Sequence, residues 1–188
     1  MPTPSNVSVF CGSHLGDRPS YAEAAATLGT VLAGRGVGLV YGGASVGLMG
    51  VVADAALAAG GRVVGVITES LADHEIAHGG LHRHEVTRTM HERKARMAEL
   101  SDAVIMLPGG FGTCEEFMES VTWGHLGIHT KRSGIVNVDG FFDLFLRFMA
   151  HGVERGFIRP DLVDDIAVSD DPAGLLDALA TAGDPAIG

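Results

Sequence analysis

The chain is poor in several things at once. Its 188 residues include two cysteines (Cys11 and Cys114), two lysines (Lys94 and Lys131) and one tryptophan. Two cysteines cannot staple a small disulfide scaffold, so the fold must rest on a packed core. No apolar run reaches the ~18 residues of a membrane span. The opening MPTPSNVSVFCGS lacks a basic segment, so no signal peptide is expected. Positive charge is scarce as well: 13 Lys and Arg stand against 23 Asp and Glu, a net charge of −10. Such a balance argues against nucleic acid or an anionic membrane as partner. It leaves room for a local cationic pocket that takes one phosphate. The expectation is one soluble cytoplasmic domain over residues 1–188.

Glycine and short apolar runs are what the chain has in quantity: 27 glycines, and 46% hydrophobic residues. Continuous β-like runs at 7–11, 38–41, 62–67, 103–107 and 134–138 read as strands buried on both faces. An edge strand is expected at 166–168. Helical stretches at 21–35, 48–59, 91–100, 114–126, 142–155 and 172–182 alternate with them. Ser20 with Glu23 reads as a capping box, and Asp171 before Pro172 as an N-cap. Strands alternating with helices predict an α/β fold, a Rossmann-like doubly wound parallel sheet of five or six strands flanked by helices. The stretch 68–89 is long for a βα connection and predicts a lid or a short inserted helix.

In such a sheet, ligands sit where strand ends face helix starts. Three glycine-bearing segments fall there: Cys11-Gly12-Ser13, Gly42-Gly43 through Gly47-Leu48-Met49-Gly50, and Pro108-Gly109-Gly110-Phe111-Gly112-Thr113. Glycine lets backbone N–H groups approach an anion, and a helix N-terminus adds partial positive charge. Each loop alone also reads as a tight turn. Neither the dinucleotide nor the nucleoside-triphosphate glycine signature is present, so a monophosphate fits better.

Pro108-Gly109-Gly110-Phe111-Gly112-Thr113-Cys114-Glu115-Glu116 resembles the P-G-G-x-G-T-x-x-E signature of the LOG ("lonely guy") family, the cytokinin riboside 5′-monophosphate phosphoribohydrolases. Met90-His91-Glu92-Arg93-Lys94 resembles that family's M-x-x-R-K element. The two earlier glycine segments and the stretch from Trp123 to Gly140 match as well, so the resemblance covers nearly the whole chain. It implies hydrolysis of the N-glycosidic bond of an N6-substituted adenosine 5′-monophosphate, or of AMP, to free base and ribose 5-phosphate. It implies no cofactor and no metal, a nucleoside monophosphate as partner, and a homodimer with sites near the interface. Arg93 and Glu116 carry over as the catalytic pair. Substrate contacts carry over onto Glu75, Lys94, Gly110, Phe111, Gly112, Thr113, Cys114, Glu115 and Thr122. The loop readings add Ser13, Gly42, Gly43 and Gly109, and the resemblance to the M-x-x-R-K element adds Met90.

The residues by themselves leave alternatives open. Thr113-x-x-Glu116 also reads as a capping box, and Arg93 as one member of a solvated helix face. A carboxylate beside the sugar would stabilise oxocarbenium charge or orient water, and an arginine would hold phosphate or the departing base. A nucleotide or molybdenum-cofactor carrier on the same fold needs the glycines but not the Arg93 and Glu116 pair. His74-Glu75-Ile76-Ala77-His78 spells the zincin element, with His82 and His84 nearby, although Gly79-Gly80 would end such a helix early. That is the remote alternative.

Overall fold

The computed structural model describes residues 4–72 and 77–181. Seven strands form one sheet: β1 (Asn6–Phe10), β2 (Gly38–Tyr41), β3 (Val63–Thr68), β4 (Arg83–Thr87), β5 (Ala103–Met106), β6 (Arg132–Val136) and β7 (Ile166–Ser169). Every pairing is parallel, in the order β4-β3-β2-β1-β5-β6-β7. Eight helices accompany them among the described residues: α1 (Pro19–Gly34), α2 (Gly47–Ala58), α3 (Glu69–Ala72), α4 (Met90–Leu100), α5 (Phe111–His125), α6 (Asp143–Glu154), α7 (Pro160–Asp164) and α8 (Pro172–Thr181). None is long and apolar enough to cross a membrane.

Successive strand residues feed two separate cores, as a period of two requires. Val7, Val9, Leu39, Tyr41, Ile105 and Leu107 pack beneath Leu28, Leu32, Val52 and Leu176 of α1, α2 and α8. Phe10, Val40, Val66, Val104 and Met106 pack on the other face with Met97, Phe117 and Met149 of α4, α5 and α6. Both faces of the central strands are therefore dry, which is why their sequences show no polar alternation.

The expected five or six strands are seven. The stretch expected to be irregular holds α3 and the edge strand β4, whose sequence Arg-His-Glu-Val-Thr is mostly exposed. An edge strand with one covered side has no apolar run to betray it. Glu85 there pairs with Arg83 at 2.7 Å and with Arg96 of α4 at 2.6 Å.

Two expected helix starts also differ. Arg18 caps α1, with Pro19 as its first residue, and Ser20 Oγ donates to Asp139 at 2.5 Å instead of capping. Gly110 caps α5, which begins at Phe111, so Thr113 lies inside the first turn and the Thr113–Glu116 capping box does not form. Asp171 does cap α8, accepting from the N–H groups of Ala173 at 3.1 Å and Gly174 at 2.9 Å.

Candidate active site

The strand order reverses between β1 and β5, and their C-terminal ends open into a crevice. The loops leaving them are tied together: Gly12 N–H donates to the Pro108 carbonyl at 2.9 Å, and Leu48 N–H donates to the Gly12 carbonyl at 3.0 Å. A cavity of about 440 Å³ lies above this junction. Residues 11–17, Tyr21, Leu48, Met49, Leu71, Met90, Arg93, residues 108–113, Glu116 and Phe141 line it.

The three glycine segments serve different ends. At α2 the first loop occupies the helix N-terminus: the Leu48 N–H is taken, and a Cβ on Gly47 (φ +57°) would collide with Ser13 and His14 backbone. At α5 the N-terminus stays open. The N–H groups of Phe111, Gly112 and Thr113 have no bond to another described residue, and the capping position is a glycine without a side chain. Those N–H groups and the helix field form an anion cradle on the cavity wall. Gly109 is fixed by crowding, because a Cβ there would meet the Thr113 side chain and sit 2.8 Å from Gly12 N.

Arg93 and Glu116 meet beside this cradle. Thr89 caps α4 by accepting from Glu92 N–H at 3.1 Å, which turns Arg93, one residue on, toward the sheet. Its Nε donates to the Val66 carbonyl at 2.8 Å and its Nη1 to Glu116 Oε1 at 2.5 Å. Gly42 clears the space: a Cβ on it would lie 2.5 Å from Arg93 Nη2. Arg93 is only 6% exposed. Its role as a solvated-face residue is thereby replaced by a buried, three-sided seat.

Burial pushes the Glu116 carboxyl above the usual glutamate range. Arg93 and Lys94 pull it down and Glu115 pushes it further up, and the net shift is upward. Cys11 lies on the cavity floor, where burial and the Glu116 charge drive its thiol far upward, so it presents a thiol and not a thiolate.

Of the other expected contacts, Ser13, Met90, Gly109, Gly110, Phe111, Gly112 and Thr113 line the cavity. Gly42 and Gly43 stand behind its lining. Lys94 does not reach it: burial disfavours the charge on Lys94, but Glu115 at 2.6 Å and Glu119 at 3.0 Å outweigh that and hold it protonated. Glu115 is spent in the same pair. Cys114 is half-buried, with its thiol raised by that burial, and Thr122 Oγ1 donates to the Met118 carbonyl of its own helix at 2.7 Å. Glu75 and His74 lie outside the described residues.

Sequence reasoning missed Leu15, Tyr21 and Phe141, which with Met49 give the cavity its apolar walls. Phe141 stands edge-on to Tyr21, ring centroids 5.5 Å apart, because Ser20 pins Asp139 (φ 52°) in the preceding turn. The only available signal was the left-handed preference of the Asp139-Gly140 pair. The remaining histidines diverge: His78 bonds Asp54 at 2.9 Å, His82 accepts from Val63 N–H at 3.4 Å, and His84 reaches the Gly43 carbonyl at 3.3 Å.

The family model described as "Possible lysine decarboxylase" matches residues 49–179. The cytokinin riboside 5′-monophosphate phosphoribohydrolase of Rhodococcoides fascians is 47% identical over 179 residues, 95% of this chain and 90% of that protein. The Arabidopsis thaliana protein of the same name, LOG1, is 47% identical over 154 residues, 82% of this chain and 72% of its own. Among solved structures, the molybdenum cofactor carrier protein of Chlamydomonas reinhardtii superposes with TM-score 0.70 at 20% identity, covering 92% of this chain and 94% of that one. Similarity at that identity speaks for the Rossmann-like fold alone. Nearly half the residues are shared with the Rhodococcoides protein along nine tenths of both chains, and so this chain belongs to the LOG family, that of the cytokinin riboside 5′-monophosphate phosphoribohydrolases.

Proposed function

We propose that this chain hydrolyses the N-glycosidic bond of a cytokinin riboside 5′-monophosphate, giving free N6-substituted adenine and ribose 5-phosphate. The observation that carries the reading is the Arg93–Glu116 pair, buried beside an open helix N-terminus in one cavity. The 5′-phosphate sits on the N–H groups of Phe111, Gly112 and Thr113. That anchor brings the anomeric carbon toward Glu116. As the C1′–N9 bond breaks, its electron pair leaves with the base and positive charge grows on the sugar, where the Glu116 carboxylate stabilises it. Water adds its oxygen to C1′; Glu116 takes the proton released, and the departing base takes up one proton in balance. Arg93 favours the ionised form of Glu116 against the burial that opposes it, and offers its remaining N–H groups to phosphate or base.

Decarboxylation through a lysine-bound pyridoxal phosphate does not fit these residues. Lys94 is bound by two carboxylates away from the cavity lining, and Lys131 precedes β6 at the opposite end of the sheet.

The partner is the nucleotide itself, and the chain works in the cytoplasm as a homodimer. The exposed Leu126, Ile128, Leu144, Phe148 and Phe157 support a second copy as cover for apolar surface. Sedimentation at micromolar concentration reads the assembly; a monomer there removes that part of the proposal.

The test is incubation with AMP and with isopentenyladenosine 5′-monophosphate, followed by chromatography for free base. Base should appear from the phosphorylated substrates and not from the corresponding ribosides. No base from either nucleotide defeats the reading.

A further inference from the structure

Three histidines before and within β4 take no part in the proposed reaction, yet two of them converge on one oxygen. His78 N–H donates to the Gly43 carbonyl at 3.1 Å, and His84 Nε2 lies 3.3 Å from the same atom. Ala44 and Ala77 add an isolated antiparallel bridge. The His78 ring is held on its far side as well. Gly80 N–H donates to Nδ1 at 3.2 Å, which leaves the ring proton on Nε2, 2.9 Å from Asp54 Oδ1 in α2. The His78 side chain is 10% exposed, while the Asp54 carboxylate that it meets stands 73% exposed on α2.

The other side of the same turn faces Arg93 and Met49. Gly42 precedes Gly43, and a Cβ on Gly42 would lie 2.5 Å from Arg93 Nη2 and 3.0 Å from Met49 Sδ. The guanidinium thus fills the space that a side chain on Gly42 would take, and the turn runs directly beside it. Behind the turn, a Cβ on Gly65 would lie 2.7 Å from Gly43 Cα, so β3 leaves it no room to retreat on that side. A close-packed arrangement of this kind transmits a small displacement of one member to the next.

We infer that the Asp54–His78 pair is a positioning clasp, which presses the Gly42-Gly43 turn against Arg93 and thereby keeps the guanidinium on Glu116. Its consequence for turnover rests on the proposed roles of Arg93 and Glu116. Neither Asp54 nor His78 lines the cavity. Both act through the turn. The second histidine of the H-E-x-x-H string is accounted for by this contact set.

The experiment compares the wild type with His78→Ala, Asp54→Ala and His78→Gln, the last of which retains a donor toward Asp54. Melting temperature, kcat and KM for AMP are measured, together with the titration of the Glu116 carboxyl by NMR of carbon-labelled glutamate. Removing the clasp should lower kcat about ten- to a hundredfold, the scale of a small misplacement at a reacting centre. KM should stay within about twofold, since the phosphate cradle on α5 is untouched. Glu116 should titrate at higher pH than in the wild type as Arg93 moves off, and His78→Gln should recover most of the lost kcat. A Glu116 titration identical in His78→Ala and the wild type overturns the inference. That reading needs no turnover: should the wild type release no base, the proposed reaction falls while the clasp is still decided.

Discussion

Arg93 donates to Glu116 across 2.5 Å, while the next residue, Lys94, pairs with the preceding one, Glu115, at 2.6 Å. The two bonds join α4 to α5 side by side, yet one faces the cavity and the other is partly open to solvent. Neighbours on a helix differ by ~100° in direction, and that rotation separates a functional pair from a supporting one. An adjacent cation and an adjacent carboxylate in the sequence therefore receive unlike tasks.

Glu116→Gln should abolish the proposed turnover. The loss of kcat should reach about 10²- to 10⁴-fold, the usual worth of a positioned acid–base group. AMP binding, read by calorimetry, should remain within severalfold of wild type, because the phosphate contacts lie on α5 backbone. Turnover near the wild-type rate would take Glu116 out of the mechanism.

The acid limb of kcat/KM should lie above the ordinary glutamate range, since burial pushes Glu116 up and the reaction needs its carboxylate. Stability should move the opposite way. Between the ordinary and the raised value the folded chain keeps a proton that the unfolded chain has released. The Glu116 contribution is thus full below that interval and is lost as pH rises through it. Paired pH–rate and pH–melting curves, with Glu116→Gln as reference, read both.

Gly42→Ala should dislodge Arg93, because the new methyl would lie 2.5 Å from Nη2. A drop in kcat of about a hundredfold is expected from such a displacement, with KM changed much less. Single-turnover kinetics separates the two.

Phe111→Pro tests the anion cradle with little harm to the helix. Phe111 is the first residue of α5 and is 98% exposed, a position where proline is favoured and only the free N–H is lost. One hydrogen bond to a charged phosphate is worth roughly 1.5–3 kcal/mol. The Kd for AMP should accordingly rise by about ten- to a hundredfold, while that for adenosine stays unchanged.

Asp171→Ala is the control remote from the cavity. It removes both capping bonds at the start of α8 and should cost about 1 kcal/mol. In a chain of this size that lowers the melting temperature by roughly 2–4 °C. Activity should not change.

The sequence by itself determined the alternating plan, the parallel sheet and the motif residues around the crevice, because dry strands leave continuous apolar runs and open loops need glycine. Gly38–Tyr41 has the bounds its pattern predicts, and the expected α8 cap on Asp171 is present. It did not reveal β4, whose exposed Arg-His-Glu-Val-Thr resembles a loop until β3 supplies the hydrogen bonds. Local spacing could not choose between a capping box and a buried acid at Glu116, since both use the same three-residue interval. Tertiary structure decided it: α5 starts at Phe111, and the guanidinium of Arg93, 23 residues away, takes the carboxylate. The same holds for the aromatic wall of Phe141 and Tyr21 and for the clasp of His78 on Asp54. Each joins groups far apart along the chain, and only packing of the elements fixes which of many satisfiable polar or apolar contacts is made.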